Sequence, residues 1–164
     1  MVNEFAEYSR TPSLVRKIIN ITELIDEISY LYSDQRIEIQ KNYPNTIKEI
    51  KIDENKFRQV LINIFDNSKA ATENTKHPII VITVKCNKNF IMLKFEDNGI
   101  GIPKEIMEKI YEPYVTSKKT GTGLGLAIVH KIIEEHSGSI EINNIKPNGV
   151  SILITLPLSE TKNG

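Results

Sequence analysis

The sequence has no tryptophan and one cysteine, Cys86. A single thiol excludes an internal disulfide and any cysteine cluster for zinc, and it fits a reducing cytosol. No apolar run approaches the ~18 residues of a membrane span, since the longest, IIVITV, is strand-sized. The N-terminus lacks a signal-peptide pattern. Charge of one sign is also missing: lysine plus arginine number 21 and aspartate plus glutamate 21, so no net field draws nucleic acid or an anionic membrane. The three histidines, His77, His130 and His136, are scattered. The last two are six apart on one expected helix, a poor spacing for a shared metal, and all three are expected at the surface. Repeats and low-complexity segments are absent. What remains is 164 residues, 40% hydrophobic and 26% charged, the make-up of one globular domain with a real core.

The most informative stretch runs from Phe90 to Gly125. Ile91, Leu93 and Phe95 alternate with residues that include Lys94 and Glu96, the pattern of a half-buried strand. The next inward position is Asp97. A carboxylate at the end of a core-facing row is costly unless something polar meets it. DNGIG follows, and GTGLG about 25 residues later by the numbering. Between them lie Lys104, Lys109, Lys118 and Lys119 and no strong strand pattern. From Asn98 to Thr122 the chain exceeds the ~12–15 residues beyond which a structureless loop is usually functional, and a lid explains it economically.

Elsewhere the pattern alternates strand and helix. LVRKIIN reads as a short strand, and Asn20 with Glu23 forms a capping-box pattern for a helix to about residue 32, with Ile21, Leu24, Ile25 and Ile28 inward. Short strands follow around Ile37 and Ile39 and from Ile47 to Ile52. Asp53 is the expected N-cap of the longest helix, which reaches about residue 74. At 100° per residue Phe57, Val60, Leu61, Ile64, Ser68 and Ala71 form its core stripe, and Asp66 points to solvent. Asn63 and Asn67, one turn apart, border that stripe. IIVITVK reads as a strand covered on both faces, and Asn87–Asn89 turn it into the strand ending at Asp97. GLGLAIVHKIIEEHSG is helical, with Leu124, Ala127, Ile128 and Ile132 on one face and Gly138 as its stop. Two strands, 139–144 and 150–156, close the fold.

These parts suit a nucleotide. A buried carboxylate accepts a hydrogen bond from the exocyclic amine of adenine, whereas guanine presents a carbonyl there, so Asp97 would select ATP over GTP. Gly99 and Gly101 let backbone pass close to the purine. Gly121, Gly123 and Gly125 open a helix, whose free N–H groups favour phosphate. An amide oxygen of Asn67, with Asn63 one turn earlier, can ligate magnesium. Lys118 and Lys119 add positive charge near the terminal phosphate. GTGLG has neither the lysine nor the spacing of a P-loop, and it is not a Rossmann fingerprint.

With these residues in place, the chain over about residues 14–157 resembles the catalytic and ATP-binding domain of sensor histidine kinases, within the superfamily of gyrase B, the Hsp90 chaperones and the MutL repair proteins. QVLINIFDNSKAA resembles the N box, DNGIGIP the first glycine box, YEPYVTSK the F box and GTGLGLAIV the second glycine box. Four ordered boxes are far more specific than any one. Tyr111 and Tyr114 stand where phenylalanines are more usual, and Ala70 stands where a basic residue is common, with Lys69 one position earlier. NEFAEYSRTPS is similar to the end of the dimerisation helix of nitrogen-regulation-type kinases.

The resemblance implies a two-layer α/β sandwich of the Bergerat type, a mixed sheet of about five strands covered on one face by three helices, with a long ATP lid. It implies ATP and Mg2+ as ligands, with Asn67 on the metal and Asn63, Asp97, Gly99, Gly101, Ile102, Lys118, Gly121, Thr122, Gly123, Leu124, Gly125 and Leu126 about the nucleotide. Residues 1–13 become the remnant of a dimerisation helix and linker, 14–158 the catalytic domain, and 159–164 a loose tail. Hydrolytic relatives carry a glutamate four residues before the magnesium asparagine as general base. Asn63, which stands there, cannot take a proton at neutral pH, so a kinase is expected rather than an ATPase. No histidine here lies in an HExxxP-type acceptor context. The expected partners are therefore a dimerisation and phosphoacceptor domain of the same protein and a response regulator, with no nucleic acid. The piece is expected in the cytoplasm, which is compatible with a parent anchored in the inner membrane. The second reading is a stand-alone ATP-binding regulatory module, or an anti-sigma-factor-like serine kinase; the F box and the front segment favour the first.

Overall fold

The structure, a computed structural model, describes residues 13–33, 36–113 and 125–158. The expected dimerisation-helix remnant and the tail lie outside these residues, apart from Ser13. All seven expected strands are present. They are β1 (Lys17–Ile19), β2 (Glu38–Asn42), β3 (Ile50–Ile52), β4 (Ile79–Cys86), β5 (Phe90–Asp97), β6 (Ser139–Asn144) and β7 (Val150–Pro157). The helices among the described residues are α1 (Ile21–Tyr30), α2 (Glu54–Ala71), a short α3 (Lys104–Met107) and α4 (Gly125–Glu135).

Strands β2-β4-β5-β7-β6 form one mixed sheet in that order, with β2 and β4 parallel and the other pairs antiparallel. β1 and β3 make a separate antiparallel ladder. One face of the large sheet is the core: Ile80, Ile82 and Val84 of β4, Ile91, Leu93 and Phe95 of β5, and Ile152, Ile154 and Leu156 of β7 are all buried. α1, α2 and α4 supply the covering layer through Leu24, Ile25, Ile28, Phe57, Leu61, Ile64, Ile128 and Ile132. Each fully buried aliphatic or aromatic side chain contributes roughly 1.5–3 kcal/mol, so this layer carries most of the stability.

Local chemistry explains most boundaries. Asp53 caps α2, Oδ1 accepting from the Lys56 N–H at 3.1 Å. Asn20 caps α1, but through the Thr22 N–H at 3.0 Å and the Thr22 hydroxyl at 2.7 Å. The expected box bond to the third position is replaced because Thr22 offers two donors one residue earlier. The Asn87 side chain accepts from the N–H groups of Asn89 and Phe90, both at 2.8 Å, which tightens the β4–β5 hairpin. α4 ends with Ser137 in the left-handed region (φ 60) and the Gly138 N–H closing on Ile133.

Four expectations need correction. IIVITVK is not covered on both faces: Ile79, Val81 and Thr83 are only half-buried, because the helices lie on one side of the mixed sheet. Phe65, left off the core stripe, is fully buried, stacked on Tyr32 at 5.0 Å and edge-on to Phe95 at 6.3 Å. The presumed structureless loop contains α3 and the turn after it. His136 is not on the surface; it is 2% exposed and sealed by hydrogen bonds to both ring nitrogens. The orientation of Asp66 holds, since it is exposed and accepts from the Tyr32 hydroxyl at 2.7 Å.

Candidate nucleotide-binding site

β5 is the middle strand of the five, and Asp97 is its last residue, level with Ile80 on β4 and Val150 on β7. Its side chain continues the inward row of Ile91, Leu93 and Phe95 and is 7% exposed. The Gly99 N–H donates to Oδ1 at 2.9 Å and the Ser68 hydroxyl to Oδ2 at 3.2 Å. Burial pushes the carboxyl above the usual carboxylate range, and the donors from Gly99, Ser68 and the Val150 backbone pull it back.

α2 touches each part of the site in turn. At Asn63, a Cβ placed on Gly125 would lie 3.0 Å from Oδ1, a tight contact that the glycine relieves. At Ser68 the helix meets Asp97. At its last residue the Ala71 carbonyl accepts from the Ile100 N–H at 3.0 Å, and a Cβ on Gly99 would fall 2.5 Å from that same oxygen. From residue 63 to residue 71 the axis advances about 12 Å at 1.5 Å per residue. The acid and the start of α4 therefore meet α2 at different heights, with Asn67 half-buried on the flank it shares with Asn63. Asn63 uses its Nδ2 to donate to the Gln59 carbonyl at 3.1 Å, which leaves Oδ1 as the atom toward Gly125.

Gly101 takes φ +82, a conformation that L side chains rarely adopt, and Ile102 is half-buried against the core. Leu126 is likewise half-buried at the first turn of α4. Lys118, Gly121, Thr122, Gly123 and Leu124 lie outside the described residues, as does Tyr114. Tyr111 stacks on His130 with centroids 4.3 Å apart and donates its hydroxyl to the Ile140 carbonyl at 3.3 Å. It thereby ties the segment after α3 to α4 and β6.

Sequence reasoning missed the residues that hold the DNGIG loop from the β6–β7 hairpin. Asn144 accepts from the Ile102 N–H at 2.8 Å and donates to its carbonyl at 2.9 Å. Asn148 donates to the carbonyls of Asn98 (2.9 Å) and Gly99 (3.2 Å). Asn98 in turn bridges to β4, accepting from Ile79 and donating to the His77 carbonyl. Nothing in the local sequence signals these contacts, which span 19 to 50 residues. Ser68 had a signal, a hydroxyl on an otherwise apolar stripe.

The Asn63 amide oxygen beside Gly125 is a hard donor, and among the described residues no group of three or more His, Cys, Asp or Glu could hold a metal. A divalent ion here would therefore lean on amides and phosphate oxygens, as magnesium does.

Residues 52–160 match the family described as histidine kinase-, DNA gyrase B-, and HSP90-like ATPase. The sensor histidine kinase ZraS of Escherichia coli O157:H7 is 30% identical over 99% of this chain and 36% of its own length. For WalK of Bacillus subtilis (strain 168) the figures are 32%, 88% and 24%. The chain thus spans about a third or less of these relatives. The catalytic domain of histidine kinase ThkA superposes with a TM-score of 0.80 at 32% identity, covering 90% of this chain and all of that one. ThkA has also been solved in complex with the response regulator protein TrrA, and matches there with a TM-score of 0.80 at 30% identity, over 98% of this chain and 47% of that one. This chain belongs to the histidine kinase-, DNA gyrase B- and HSP90-like ATPase family, as a catalytic ATP-binding domain of the sensor histidine kinase kind.

Proposed function

We propose that residues 14–158 bind ATP with its adenine amine on Asp97 and its phosphates at the Asn63–Gly125 end of α2, and pass the γ-phosphoryl to a histidine. That histidine belongs to a dimerisation and phosphoacceptor domain of the same protein, to which residues 1–13 lead. A response regulator then takes the phosphoryl, in the cytoplasm where ATP is available. The carrying observation is the buried Asp97, an acceptor held by Gly99 and Ser68 against the same helix, α2, that Gly125 of α4 approaches at Asn63.

In the transfer, a neutral imidazole nitrogen of the acceptor forms the new N–P bond as the bond from the γ-phosphorus to the β-bridging oxygen breaks, ADP leaves, and the imidazole loses its proton. A neutral imidazole is already a nucleophile, so a general base at position 63 is not required. The domain's own contribution is positioning and charge compensation: α4 presents its first N–H groups to phosphate, and the Gly99 approach to α2 keeps the purine side closed. Asn67, with Asn63, would hold a magnesium ion, which neutralises phosphate charge when bound. Lys118 and the glycines 121 and 123, with Thr122 and Leu124, complete the phosphate side in this reading. The relatives named above are sensor histidine kinases, which favours this over a stand-alone regulatory module.

The experiment is calorimetric titration with ATP, with and without magnesium, for the wild type, D97N and N67A, followed by incubation with labelled ATP alone and with the acceptor domain. Binding weakened in D97N, a magnesium dependence lost in N67A, and acid-labile phosphohistidine formed only with the acceptor domain are expected. Unchanged ATP affinity in D97N would sink the adenine assignment, and phosphohistidine on the isolated chain would sink the division of labour.

A further inference from the structure

Ser68 lies on the core stripe of α2, 4% exposed, where an alanine would pack without polar cost. A buried hydroxyl is unfavourable unless bonded, and its bond goes to Oδ2 of Asp97 at 3.2 Å. We infer that Ser68 is a specificity-determining residue of this site: its hydroxyl keeps Asp97 in the ionised, acceptor-only form that distinguishes adenine from guanine. The inference rests on the adenine reading of Asp97 given above.

The chemistry turns on one proton. An ionised carboxylate can only accept, so it pairs with the amine at C6 of adenine and repels the carbonyl at C6 of guanine. A protonated carboxyl carries an O–H that can donate to that carbonyl, and discrimination falls. Burial drives Asp97 toward the protonated form, so the site needs donors aimed at the carboxylate. Two of them, the Gly99 and Val150 N–H groups, are backbone; Ser68 is the side chain among the three. Asp97 meets Ser68 from α2, Gly99 from its own loop, and stands level with Ile80 on β4 and Val150 on β7. Among the described residues no charged side chain contributes to its shift, so the two backbone donors alone oppose burial once the hydroxyl is lost.

The test is calorimetric titration of wild type, S68A, S68T and D97N with ATP and with GTP across acid to mildly alkaline pH, alongside carbon NMR titration of the Asp97 carboxyl. In S68A the carboxyl titration and the acid limb of ATP affinity should move up by about one pH unit, the scale of one hydrogen bond to a charged group. On that limb the preference for ATP over GTP should fall about tenfold, and S68T should restore it. A hydroxyl that merely packs would change the melting temperature and leave the titration in place. Superimposable wild-type and S68A profiles, with D97N still impaired, overturn the role of Ser68 alone. ATP affinity unchanged in D97N overturns the underlying adenine assignment instead.

Discussion

The Asp53 N–H donates to Nε2 of His136 at 3.0 Å, joining the first turn of α2 to the end of α4 across 83 residues of sequence. Nδ1 of the same ring bonds the Ile132 carbonyl at 2.8 Å and so must carry the proton, leaving Nε2 as the acceptor. The ring also packs edge-on to Phe57 at 4.9 Å. Only the neutral tautomer satisfies both partners, and burial depresses the His136 pKa below its ordinary 6.5.

Acid should therefore loosen this joint. With the folded pKa lowered, the unfolded chain binds the proton first as pH falls through 6.5, so stability declines from there down to the folded value. Denaturant midpoints measured at neutral and mildly acidic pH should differ in wild type, and this part of the slope should vanish in His136→Ala. That substitution should itself cost about 2–4 kcal/mol, through an unsatisfied Asp53 N–H and a lost ring contact.

Asp97→Asn should separate stability from binding. The raised carboxyl pKa means that the folded state holds its proton more tightly than the unfolded state, so ionisation at neutral pH costs stability. The amide removes that cost, and the melting temperature without nucleotide should stay level or rise. ATP affinity should fall by roughly 1–3 kcal/mol from a mispaired buried group. Thermal melts with and without ATP read both.

The glycines around the loop should rank by geometry. A Cβ on Gly149 would sit 1.8 Å from the Asp97 carbonyl oxygen at φ +125, whereas on Gly101 (φ +82) the nearest atom is Oδ1 of Asn144, 3.0 Å away. Gly149→Ala should thus cost more than about 3 kcal/mol and take ATP binding with it, and Gly101→Ala about 1 kcal/mol. Equal costs in urea unfolding would contradict the ranking.

Asn144→Ala releases the N–H and carbonyl of Ile102 while leaving the core intact. We expect about 1 kcal/mol of lost stability, faster hydrogen exchange at the Ile102 amide, and weaker ATP binding because the loop after Asp97 loses its brace.

The sequence made the frame legible because its signals are local. Asp53 and Asn20 announce their helices by capping, and Ile91, Leu93 and Phe95 place Asp97 inward by parity alone. Phe65 was lost because it sits 80° from Phe57 around α2 at 100° per residue, off a stripe drawn for one partner surface; the stack on Tyr32 widens that surface. His136 looked like a surface residue because its hydrogen-bond partner Asp53 is 83 positions away. The bracing by Asn144 and Asn148 depends on β6 and β7 lying beside β5, and strand order is not written in any one segment. Asn63 and Asn67 could be paired by spacing, yet only the approach of Gly125 shows what faces Asn63.

The Asp53 carboxylate serves two masters: Oδ1 caps α2, while Oδ2 accepts from the Val15 N–H at 2.9 Å, where the chain enters the domain. Tension applied at residue 15 is thus delivered straight to the root of the helix bearing Asn63 and Asn67. The segment before β1 and the first turn of α2 are therefore coupled through one carboxylate, and a displacement of either is felt by the other.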